Sequence, residues 1–168
     1  MEVSSTPVDG VIQFLSGIFT FAYIINCILG FKLQGMISKD ATGKLLWGLS
    51  IVIFILYPFA LYRTMKTTKS IFQKKKIDPI LDFGGCHLAL WVVALAIAST
   101  VVIRFANLDF YSENEFNVLI YGLTASAGLF TIGTLLGSMV LFSSRKKIQD
   151  YIASRKKAKA KDASMNSA

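Results

Sequence analysis

The stretch Phe83–Ile103, FGGCHLALWVVALAIASTVVI, runs for 21 residues without an aspartate, glutamate, lysine or arginine. As a helix it would rise about 30 Å, the thickness of a bilayer's hydrocarbon core, which about 20 predominantly apolar residues suffice to span. Three further apolar runs flank it: Val11–Phe31 and Leu45–Tyr62 before it, Val118–Phe142 after it. The pattern predicts an all-α polytopic membrane protein, a bundle of four transmembrane helices with short loops. A hydrophobic content of 54% in 168 residues exceeds what a small soluble fold can hide, so lipid is the expected solvent. Connections of 13 to 20 residues leave no room for a separate soluble domain of ordinary size. Residues 1–142 are therefore read as one transmembrane domain. Residues 143–168 are read as a basic tail, helical as far as Ile152 and disordered beyond it, where lysine, alanine and serine dominate.

Charge sets the expected orientation. No lysine or arginine precedes the first run, three (Lys32, Lys39, Lys44) follow it, and six (Arg63, Lys66, Lys69, Lys74, Lys75, Lys76) follow the second. Arg104 stands alone after the third, and eight close the chain: Arg145, Lys146, Lys147, Arg155, Lys156, Lys157, Lys159 and Lys161. With four crossings, fourteen of the eighteen fall on one side, and the positive-inside rule makes that side cytoplasmic, with both termini there. The first helix taken alone argues the reverse, because the basic residues begin only after it; the total overrules it. The acidic third connection, with Asp109, Glu113 and Glu115 and the flanking rings Phe105, Phe110, Tyr111 and Phe116, then faces the lumen or exterior.

Met1–Gly10 carries Glu2 and Asp9 and no basic residue, so the first run is read as a retained helix rather than a secretory leader. Cys27 and Cys86, placed at different depths, give no disulfide framework. Cys86, after Gly84-Gly85, is a chemically suitable position for palmitoylation.

Helices in lipid associate through small residues and a few polar contacts. Gly122, Ser126, Gly133 and Gly137 fall within about 60° of one another on the fourth helix, with a GxxxG step at Gly133–Gly137. On the third, His87, Trp91, Ala94 and Ala98 share a face. Both faces are candidate surfaces for packing within the bundle, in a homo-oligomer or against a partner. His87 is the only histidine, excluding a metal pair or bis-histidine haem site within one chain, and Asp82 is its expected neighbour. Gln13 and Asn26 lie near the ends of the first helix, and Pro58 should bend the second. The central portions of the runs hold no charged residue, which argues against a transporter of ions or polar solutes. No convergent set of acids, bases or metal ligands marks an enzyme, and no cofactor is implied.

Lys74, Lys75 and Lys76, with Arg145, Lys146, Lys147, Arg155, Lys156 and Lys157, would present a positive cytoplasmic face to anionic lipids at about 1 kcal/mol per residue near the surface. Orientation already accounts for the net charge of +8, so nucleic acid is not an expected partner.

Leu81-Asp82-Phe83 opens a helix that continues to Trp91-Val92-Val93-Ala94-Leu95-Ala96, and with four short-looped spans this resembles the MARVEL-type tetraspan proteins, especially small fungal members. The resemblance covers most of Val11–Phe142. It implies a non-enzymatic role in membrane apposition, vesicle trafficking or lateral organisation of membrane domains, in the endomembrane system or plasma membrane. Many members carry cysteines in the outer loops, whereas Arg104–Asn117 has none. The alternative expectation is an accessory subunit of a larger membrane complex for protein biogenesis or transport.

Overall fold

The computed structural model describes residues 7–38, 41–78, 83, 85–106 and 113–165, and among them every regular element is helical. Helix α1 covers Pro7–Ile37, α2 Ala41–Val52, α3 Tyr57–Lys75, α4 Cys86–Ala106 and α5 Glu113–Met165, with a 3-10 turn at Phe54–Leu56. Three of these, α1, α4 and α5, are long and apolar enough to cross a membrane.

The second apolar run departs from expectation. In place of one helix over 45–62, the chain leaves helical geometry at Ile53 (φ −111°, ψ 85°), makes the 3-10 turn and starts again at Tyr57. Pro58, expected to bend a continuous helix, sits in the first turn of α3. Proline cannot donate to the carbonyl four residues back and its ring collides with it, whereas in a first turn the missing donor costs nothing. The preceding Ile51-Val52-Ile53 is β-branched and a weak helix former, so the helix breaks just ahead of the proline. The 12 residues of α2 rise only about 18 Å, too little to span hydrocarbon.

The outer ends also differ. Helix α5 continues through the basic tail to Met165, where disorder after Ile152 is the sequence expectation. No glycine or proline follows Gly137, and the tail's lysines, arginines and alanines are strong helix formers. Its 53 residues rise about 80 Å, more than twice a hydrocarbon core. Lys76 closes α3 in left-handed geometry (φ 52°, ψ 41°), and the bonds Ile77 N–H to Phe72 O (3.0 Å) and Lys76 N–H to Gln73 O (3.3 Å) make a Schellman motif.

The chain forms two compact units. One comprises residues 1–26 and 83–138, the other residues 27–82 and 139–168.

In the first unit α1, α4 and the leading part of α5 meet around Trp91. Its ring lies 4.9 Å from Phe130 edge to face, 5.9 Å from Phe19 and 6.1 Å from Tyr23. The indole Nε1–H donates to Thr134 Oγ1 (3.1 Å), and Asn26 Nδ2 donates to Thr134 O (2.8 Å). Thr134 thus ties three helices together with hydrogen bonds that have no water to compete with.

The second unit is built on Trp47, which donates from Nε1 to Thr64 Oγ1 (2.8 Å); Thr64 in turn donates to Gln34 Oε1 (3.1 Å). All three side chains are buried, and Tyr57 meets the indole edge-on at 5.8 Å. Helix α3 buries Tyr57, Ala60, Leu61, Thr64, Met65, Thr68 and Phe72 at helical spacing and turns Lys66, Lys69, Lys74 and Lys75 outward.

Candidate functional site

The small-residue face of α5 lies against α4. A Cβ at Gly122 would overlap the Val101 side chain, and one at Gly133 would lie 2.9 Å from Trp91 Cδ1 and 3.1 Å from the His87 carbonyl oxygen. Ser126 Oγ–H donates to Ala94 O at 2.8 Å. The facing pairs run Val101 with Gly122, Ala94 with Ser126 and Leu90 with Gly133, so the two helices are antiparallel and close at successive turns. Gly137, Trp91 and Ala94 are buried and Ala98 is half-buried. These residues therefore form packing inside one chain, leaving little of that face to receive a partner.

His87 is buried in the first turn of α4. Asp82, its expected neighbour, lies outside the described residues, as do Leu81, Gly84, Asp109, Phe110 and Tyr111. Cys27 is buried, whereas Cys86, at the start of α4, is exposed and open to modification.

A second helix face is open. Gln13, Ser16, Gly17 and Thr20 recur on one side of α1 and are exposed, bordered by Phe21 and Ile24 in a shallow groove. A Cβ at Gly17 would meet nothing within 4 Å. The sequence signal is one small-xxx-small step, Ser16–Thr20, beside Gln13 and Gly17, and without a GxxxG it does not stand out.

The basic residues separate into groups. Lys75 and Lys76 from the end of α3 line an open cleft with Lys147 and Tyr151 of α5, shared with Asp78 and Asp150. Lys147 Nζ reaches the Asp78 carbonyl at 3.5 Å. Arg155 donates from Nε to Tyr151 Oη (3.1 Å), its guanidinium 5.7 Å from that ring's centre. Lys74, Lys146, Lys156 and Lys157 are exposed, and Arg145 is half-buried. A cleft with convergent ammonium groups and a phenol suits a phosphate-bearing headgroup, while Asp78 and Asp150 limit how much negative charge it attracts. Pairing of residues about 70 positions apart is not something periodicity can reveal.

Large apolar side chains stand exposed on every apolar helix. They include Phe14, Phe21 and Ile28 on α1, Leu45 and Leu49 on α2, Val92, Val102 and Ile103 on α4, and Ile132, Leu135, Met139 and Phe142 on α5. Water would not tolerate such a belt, and lipid does. Three helices long and apolar enough to cross a membrane, clad in exposed aliphatic and aromatic side chains, define the class: a helical membrane protein. No protein-family model, curated protein or solved structure matches the chain.

Proposed function

We propose that this is a non-enzymatic integral membrane protein that organises the bilayer around it, gathering anionic lipids and acting in membrane-domain organisation or vesicle traffic. The supporting observation is the cationic helical surface: α5 carries Arg145, Lys146, Lys147, Arg155, Lys156 and Lys157 on a continuous helix beyond its apolar run, and Lys74, Lys75 and Lys76 end α3. Each basic residue near an anionic surface contributes about 1 kcal/mol, and helical order holds the charges at fixed spacing. The resemblance to MARVEL-type tetraspans would assign a similar role. Only that role is carried over here: the family's four crossings with both termini cytoplasmic would need the broken second run to span.

Reconstitution into vesicles containing fluorescent phosphatidylserine tests this reading. Energy transfer from the protein to the labelled lipid should exceed that to labelled phosphatidylcholine, and the excess should fall by half or more in R155Q/K156Q/K157Q/K147Q or at high salt. Equal transfer to the two lipids would overturn it.

The exposed Gln13–Thr20 face of α1 favours a second reading, a subunit of a homo-oligomer or a larger membrane complex. A glutamine in lipid gains by pairing across helices, by about 0.6–2 kcal/mol. Gln13→Leu with Gly17→Leu should then lower co-purification or crosslinking in native membranes severalfold while the chain remains folded. Unchanged crosslinking would remove this reading.

A further inference from the structure

From the contacts of α2 and α3, we infer that residues 41–75 form a re-entrant hairpin that dips into one leaflet and leaves by the face it entered. The chain then crosses three times, through α1, α4 and α5, with its termini on opposite sides.

The argument begins with Trp47 and Thr64. On a continuous helix, 17 residues would separate them by about 25 Å, yet their side chains are joined by a 2.8 Å hydrogen bond. The chain has therefore doubled back between them, and the turn at Ile53–Leu56 is where it does so. Gln34 completes the bridge at 3.1 Å from Thr64, so both arms of the hairpin lie beside the C-terminal end of α1.

Register gives direction and depth. A Cβ at Gly30 would overlap the Trp47 indole and one at Gly43 would overlap the Gln34 amide, so α2 runs antiparallel to α1, back toward the apolar part of that helix. The same register sets Leu46 level with Phe31, where the apolar run of α1 ends. Val52 then lies six residues deeper, about 9 Å. A single leaflet's hydrocarbon is about 15 Å thick, which leaves about 6 Å beyond Val52 for the turn at Ile53–Leu56.

The tip is dressed for that place. Ile51, Val52, Ile53, Phe54, Ile55 and Phe59 are all exposed, Val52 at 84%, and they meet the acyl chains of that leaflet. Three backbone donors at the turn are met locally, Ile53 N–H by Leu49 O, Leu56 N–H by Ile53 O and Tyr57 N–H by Phe54 O, and Pro58 has none to offer. Such internal bonds are what backbone set in lipid requires. Beyond Thr64 the exposed positions of α3 turn basic, at Lys66, Lys69, Lys74 and Lys75, as the helix returns to water.

Charge supplies an independent check. With three crossings, nine basic residues between the first apolar run and α4 join the eight of the tail, so seventeen of eighteen lie on one side and Arg104 alone lies opposite. Four crossings would instead translocate Lys32, Lys39 and Lys44. The three-crossing arrangement also agrees with the step across the first helix, which places the N-terminus outside. The tip is therefore in the cytoplasmic leaflet, whose anionic headgroups complement the lysines at the hairpin's base. The inference stands apart from the lipid-gathering role above, since a hairpin can be re-entrant whatever lipids surround it.

The test is sidedness in sealed microsomes. A glycosylation acceptor on a spacer before Pro7 should be modified, whereas one after Ser38 and one at the C-terminus should not; an unmodified N-terminus with a modified Ser38 site would overturn the inference. The unaltered chain gives the same information without a variant. An impermeant amine reagent added from the cytoplasmic side should label Lys32 and Lys44 together with Lys74, and labelling of Lys32 and Lys44 only after the vesicles are opened would establish four crossings. For the tip, I53C labelled with an environment-sensitive dye in a C86S background should be quenched by acyl-chain bromines and spared by aqueous iodide. The reverse would place the tip in water or under another protein.

Discussion

Replacing Trp47 with alanine is expected to destabilise the protein by about 3–5 kcal/mol, the range for removing a fully buried large aromatic. The indole has no exposed surface, fills the space left open by Gly30, meets Tyr57 edge-on and donates to Thr64. Alanine leaves a cavity between α2 and α3 and withdraws the donor that Thr64 Oγ1 accepts. Trp47→Phe keeps most of the bulk and loses only the hydrogen bond, so about 1 kcal/mol is expected, while Thr64→Val also loses the bond to Gln34 Oε1 and should cost about 2 kcal/mol. Since W47F and T64V delete one shared bond, the double variant should cost less than their sum. Unfolding in a denaturing detergent series would measure all four. If W47A cost no more than W47F, packing on the indole would not be what joins the arms of the hairpin.

Membrane character was legible because it rests on counts: three uninterrupted apolar stretches of about 20 residues or more make crossing helices whatever their detailed contacts. The fate of the second stretch was not, although its parts were in view. Composition scores Leu45–Tyr62 as it scores Phe83–Ile103, while the local chemistry of Ile51-Val52-Ile53 followed by Pro58 decides whether the stretch stays one helix. In the tail, low-complexity lysine and alanine suggest disorder by composition, yet they are also strong helix formers, and α5 carries on through them. Among candidate residues, the face Gly122, Ser126, Gly133 was read from helical rotation alone, because periodicity fixes which side chains share a face. What that face touches is a tertiary fact. Thr134, which bonds Trp91 and Asn26, gave no signal at all, a threonine in an apolar run being unremarkable.

Gly133→Leu is expected to unfold the first unit or force α4 and α5 apart, at a cost of about 3 kcal/mol or more. Even a bare Cβ there comes within 3.1 Å of the His87 carbonyl oxygen, which belongs to helix backbone and cannot rotate away as a side chain does. Trp91, 2.9 Å away, is held by Thr134 and by three aromatic neighbours, so it has nowhere to retreat. Separation of the helices would also lengthen the Ser126 to Ala94 hydrogen bond. Gly128 on the same helix is the control, since a Cβ there meets nothing within 4 Å, and Gly128→Ala should leave stability unchanged or raise it by up to about 1 kcal/mol. Detergent-induced unfolding followed by circular dichroism would compare them. The outcome also separates the two uses open to a GxxxG step: loss of stability in the isolated chain means that the glycines serve its own helix pair. Loss of association with stability intact would mean instead that α4 yields this face to a partner helix.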